Sequence, residues 1–167
     1  MSDTTQAADV DAQIRGRVGE EIFLTDYHPI TMADELAFQK ATWVHEDFLG
    51  FPLESNDPYG EELVSGFLLM SILVAFHKRY LPFHLEDGYA LNYGADKLRF
   101  LTPVLAGDDI RCRTELLDVT VKKPGTYRLL TRNTIEKRDG RPAMVADWIT
   151  YLVDNAAPAD TQEVSDK

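Results

Sequence analysis

The chain has 167 residues, 44% of them hydrophobic, a formal net charge of −11 and a single cysteine, Cys112. That length suits one domain with a sizeable core. The lone cysteine excludes an internal disulfide framework and a multi-cysteine zinc site. The acidic balance argues against nucleic acid, whose phosphates demand a basic face. The longest apolar run, Phe67 to Phe76, is half of what a membrane helix needs. The opening MSDTTQAADVDAQ has neither a basic region nor an apolar stretch, so no secretory signal is expected and the expected location is cytoplasmic.

Residues 1–19 and 154–167 read as flexible acidic tails, rich in Ala, Thr, Ser and Asp. Between them, 20–153 reads as one domain. Glu21 to Leu24 suits a short first strand, followed by a turn at 26-DYHP-29. Thr31 precedes Asp34 by three residues, a variant of the capping box, and opens a helix running to about Trp43. Residues 44–62 hold Pro52, Pro58, Gly50 and Gly60 and read as an irregular loop. A loop of that length with Phe48, Leu49, Phe51, Leu53 and Tyr59 in it is expected to pack against something.

Ser65 is placed to cap the next helix, which Pro82 stops and whose C-terminal end carries Lys78 and Arg79. Only Ser71 is polar between Phe67 and Phe76, a pattern that predicts a helix wrapped on all sides. The second half predicts four strands, at 89–101, 109–119, 126–137 and 143–153, each rich in β-branched and aromatic residues. Asp139-Gly140 marks a tight hairpin. The expected architecture is α+β, a curved antiparallel sheet around a central apolar helix, with an open sheet edge suited to a dimer.

Three segments carry a resemblance: 58-PYGEELVSGFLL-69, 92-NYGADKLRFLTPVLAGDDIRCRTELLDV-119 and 145-VADWITYLV-153. In order, Asn92-Tyr93-Gly94, Arg99-Phe100, Pro103, Ala106-Gly107-Asp108 and Arg111 make the second the most specific. The chain resembles the hotdog-fold MaoC-like family of (R)-specific enoyl-thioester hydratases and dehydratases over about residues 20–153. The resemblance implies a lyase acting on an acyl thioester, or a related unsaturated carbonyl compound, carried on coenzyme A or a carrier protein. It also implies that a backbone N–H at the start of the central helix, at Gly66, receives the thioester carbonyl oxygen.

Active members of that family carry an Asp and a His five residues apart after the first helix. By register those positions fall near Trp43 or Val44 and near Phe48 or Leu49, so the usual pair is replaced. The substitutes are His45 paired with Asp47 or Glu54, since a histidine beside a carboxylate suits proton transfer near neutral pH; the alternative is that these are solvated loop residues. Candidate substrate contacts are Trp43, Tyr59, Ser65, Lys97 and Arg99. Lys97 and Arg99 are expected to share one strand face and could meet carrier phosphates, though ordinary solvent exposure also accounts for them. Trp43 and Trp148 also read as core residues, and Tyr59 as a packing residue. His28, His77 and His84 lack ligand spacing, so neither metal nor cofactor is expected, and His77 is expected to reach solvent. Cys112, between two arginines, suits either an activated thiol or a buried structural one. The second functional class is a non-catalytic hotdog subunit or acyl/polyketide-binding protein, alone or partnering an active MaoC-like chain. A homodimer or heterodimer is expected, without membrane or nucleic-acid partners.

Overall fold

The computed structural model describes residues 12–53, 58–83, 85 and 87–155. Four long strands dominate: β3 (Gly88–Phe100), β4 (Asp109–Lys123), β5 (Thr126–Lys137) and β6 (Pro142–Asp154). With two short strands, β1 (Glu21–Leu24) and β2 (His28–Pro29), they form one antiparallel sheet. Its order is β1-β4-β5-β6-β3, and β2 pairs with β4 beside β1. The expected α+β layout is therefore observed.

Alternation builds the inner face. Ile110, Cys112, Thr114 and Leu116 of β4 are buried at every second position, as are Leu129, Thr131, Asn133 and Ile135 of β5. Gly140, at φ 84°, closes the β5–β6 hairpin where Asp139-Gly140 predicts it. Cys112 is fully buried and burial pushes its thiol up to about 12, which makes it a structural thiol rather than a reactive one.

Helix α1 (Met32–Ala41) starts in a complete capping box: Asp34 N–H donates to Thr31 Oγ1, and Thr31 N–H donates to the Asp34 carboxylate. Helix α2 (Glu46–Leu49) is a single turn within the loop. The long helix α3 (Gly66–Tyr80) lies on the sheet and buries Leu68, Leu69, Leu73, Phe76 and His77. Its wrapping is incomplete in the single chain: Phe67 is 65% exposed and Ser71 also faces outward. The reason lies in β3, an edge strand that among the described residues pairs only with β6 and is exposed along nearly its whole length.

The N-terminal segment departs from the tail reading. Residues 12–15 are helical, Ile14 is fully buried in the core, and Gly19 N–H donates to the Leu116 carbonyl. Residues 1–11 and 156–167 lie outside the described residues.

His77 is likewise buried rather than solvent-facing, because its ring turns inward to Asn133. Burial pushes its pKa from 6.5 down to about 4, so the folded protein holds it neutral. The unfolded chain takes up the proton below about 6.5. The stability His77 contributes is therefore complete above that pH and is lost as the pH falls toward and through 4. Urea midpoints measured from pH 8 to pH 4 are expected to drop across this window. His77→Phe should flatten that part of the slope, although it starts from a lower midpoint.

Candidate active site

The start of α3 is held by an acid from another helix. Ser65 is the N-cap residue, yet its hydroxyl does not cap the helix as expected. It donates instead to Glu35 Oε1 at 2.5 Å, while Ser65 N–H donates to Glu35 Oε2 at 2.8 Å. Gln39 Nε2 adds a third bond to Glu35 at 2.9 Å. Glu35 is 1% exposed on α1 and satisfies the polar groups around it. The first turn of α3 contains no acidic residue, so Glu35 supplies from across the fold the negative group a helix N-terminus favours. The missing local acid was a signal in the sequence. Which distant carboxyl would replace it was not.

The first N–H groups of a helix have no intrahelical acceptor. Among the described residues, none accepts from the amides of Gly66 or Phe67. Beside them opens a cavity of about 560 Å³ lined by Gly66, Phe67, Tyr59, Leu63, Phe100 and Val104, among others. The site thus combines orphan backbone donors, a helix dipole and apolar walls, which suits a carbonyl oxygen on an otherwise apolar ligand.

Of the residues expected at the site, the structure brings Gly66 and Tyr59 onto this cavity, with Ser65 one residue before it. His45 is the N-cap residue of α2 and makes no side-chain capping bond, while Asp47 is exposed in the first turn of that helix. Neither lines the Gly66 cavity. Glu54 lies outside the described residues.

Trp43 is not a core residue. It is 63% exposed, at φ 63° just past the end of α1, with its ring 5.4 Å from that of Phe48. Trp148, in contrast, is buried. The expected alternation of Lys97 and Arg99 is broken by a bulge between Asp96 and Arg99, with Lys97 at φ 50°. Lys97 pairs at 3.0 Å with Asp147, which Arg132 also grips through two bonds of 2.8 and 2.9 Å. Arg132 and Lys97 together hold the Asp147 carboxyl below the usual carboxylate range. Arg99 is exposed and donates to the neighbouring Leu98 carbonyl. Among the described residues, no three His, Cys, Asp or Glu side chains gather as a metal site.

Gly66 also has a packing role. A Cβ placed there would lie 2.8 Å from Phe100 Cε1, closer than carbon atoms tolerate. Gly66→Ala is therefore expected to destabilise the fold by about 1–3 kcal/mol in urea titrations. Combining it with Phe100→Leu should recover most of the loss. A cost confined to a few tenths of a kcal/mol would show that the ring moves aside freely.

No family model matches the chain. It is 28% identical over 144 residues to nodulation protein N of Rhizobium leguminosarum bv. viciae, covering 84% of this chain and 89% of that protein. Against 3-hydroxyacyl-thioester dehydratase Z of Mycobacterium tuberculosis it is 28% identical over 148 residues, covering 85% and 95%. Among solved structures, the MaoC-like dehydratase from Rhodospirillum rubrum superposes with a TM-score of 0.63 at 17% identity, covering 82% of this chain and 92% of that one. The chain is thus a hotdog-fold protein, and the resemblance to the MaoC-like hydratases and dehydratases first read from its motifs is borne out.

Proposed function

We propose that the chain is a hydratase or dehydratase of acyl thioesters that holds the thioester carbonyl at the Gly66 amide. The observation that carries this reading is the pair of α3 amides, Gly66 and Phe67, that meet no acceptor among the described residues beside an apolar cavity of about 560 Å³. Adding water to an enoyl thioester, or removing it from a hydroxyacyl one, passes through an enolate-like state with negative charge on that oxygen. A preorganised N–H beside it, reinforced by the helix dipole, lowers the barrier where the charge develops. The relationship to a 3-hydroxyacyl-thioester dehydratase supports the same substrate class.

The proton-transfer groups in this reading come from the loop between α1 and α3, with His45 as the acid or base and Asp47 or Glu54 as its partner. Arg99, exposed beside the cavity residue Phe100, is the candidate contact for the phosphates of coenzyme A or a carrier-protein arm. Lys97 contributes less to that contact because Asp147 already engages it. Steady-state hydration of crotonyl-coenzyme A and longer enoyl thioesters tests the mechanism. His45→Ala is expected to lower kcat by about 10²–10⁴-fold, the usual contribution of a positioned acid or base. Full activity in that variant removes His45 from the chemistry, and absence of turnover in the parent chain removes the enzymatic reading.

One observation favours a second reading, a non-catalytic hotdog subunit or acyl-binding protein. Among the described residues lining the cavity, Tyr59 is the sole titratable group. A partner chain bearing an intact Asp/His pair would then supply the chemistry. Either reading leaves β3 as the natural pairing edge, with Tyr89, Leu91 and Tyr93 exposed along it. Native mass spectrometry of the purified chain is expected to show a dimer, and Tyr93→Glu should shift it toward monomer. A homodimer with intrinsic turnover disposes of the second reading.

A further inference from the structure

At the other end of α3 lies a second cavity, of about 440 Å³, bounded by α3, β3, β5, β6 and the connection through Leu81 and Phe83. The thioester reading makes no demand on it. Its walls are mostly apolar, and His77, 8% exposed, is set into them.

The hydrogen bonds behind His77 determine which of its ring nitrogens carries the proton. Asn133 Nδ2 donates to the Thr131 carbonyl at 3.2 Å and to Thr131 Oγ1 at 3.0 Å. A carbonyl only accepts, so this is the amino end of the Asn133 amide, and Oδ1 faces the other way. Oδ1 takes a bond from Thr114 Oγ1 at 2.8 Å and lies 2.7 Å from His77 Nε2. An amide oxygen cannot donate, so Nε2 carries the proton. A neutral imidazole has one N–H, which leaves Nδ1 with a lone pair. No donor among the described residues meets Nδ1, and no buried side-chain nitrogen or oxygen is left without a partner. Nδ1 is therefore not sealed in the core. Phe23 and Trp148, whose ring centroids lie 5.1 and 4.6 Å from that of the imidazole in T-shaped contacts, hold the ring in this orientation.

We propose that this cavity is a second ligand site, separate from Gly66, for a small uncharged apolar molecule carrying one hydroxyl or N–H that donates to His77 Nδ1. Leu81, Phe83, Leu129, Trp148 and Leu152 give the walls an apolar stretch that matches an apolar body, with the polar Asn92 and Thr150 set among them. Lys78 also lines the cavity, but at His77 itself an anion is disfavoured, because its charge would face the imidazole lone pair. A hydrogen-bond donor on the ligand satisfies the acceptor left open at His77 Nδ1.

A pair of probes tests this: 4-propylcyclohexanol against propylcyclohexane. Trp148 lines the cavity, and Trp43→Phe leaves it as the single tryptophan, so quenching or enhancement of its fluorescence reports binding. The alcohol is expected to bind about five- to tenfold more tightly than the hydrocarbon, the worth of one net hydrogen bond. The ¹⁵N resonance of His77 Nδ1 should shift with the alcohol and stay in place with the hydrocarbon. His77→Phe should abolish the preference while keeping hydrocarbon binding. Ala90→Trp, at an exposed β3 position on the cavity wall, should block both probes without entering the core. Equal affinities, binding unaltered in Ala90→Trp, or no binding of either probe at millimolar concentration overturns the proposal. The last outcome includes closure of the cavity by a second copy of the chain.

Discussion

The apolar face of α3 lies against the inner face of the sheet, and both halves of the molecule are arranged around that contact. Leu68, Leu69, Leu73 and Phe76 meet a core that includes Ile110, Cys112, Leu116, Leu129 and Ile135. Each large side chain removed from water in this way contributes roughly 1.5–3 kcal/mol. Because α3 is anchored along its length, its two ends occupy fixed places. One end opens on the Gly66 cavity and the other on the His77 cavity.

Polar groups then settle what apolar packing leaves loose. Sliding α3 along the sheet would conserve much of its greasy contact. It would not conserve the bonds from Ser65 to Glu35, or that from His77 to Asn133. A buried carboxyl or imidazole without its partner costs more than the bond gained by making it. These two links, near opposite ends of one helix, tie it to α1 and to β5. The first turn of α3 is therefore held in place by bonds to other elements of the fold.

The elements and their order were legible because each rests on local chemistry. The Thr31–Asp34 capping box, the Asp139-Gly140 hairpin and the alternation of β4 and β5 all involve neighbours in sequence or a period of two. The site was only half legible. Gly66 and Tyr59 could be placed because they sit at a helix start and just before it. Glu35 could not, since its partner lies thirty residues away and nothing on α1 marks it as inward-facing. Lys97 and Arg99 were misplaced because a bulge in an edge strand breaks the period of two that the reading assumed.

Composition and pattern alone determined the α+β class, the apolar helix and the strand meander. Those features follow from residue type and spacing, which folding does not alter. Only the tertiary structure decided that Glu35 holds the helix start, that His77 faces inward as a neutral hydrogen-bond donor, and that Trp43 stands in solvent. Each of these depends on which distant groups meet across the core, and a side chain's surroundings there are set by the whole packing rather than by its neighbours along the chain.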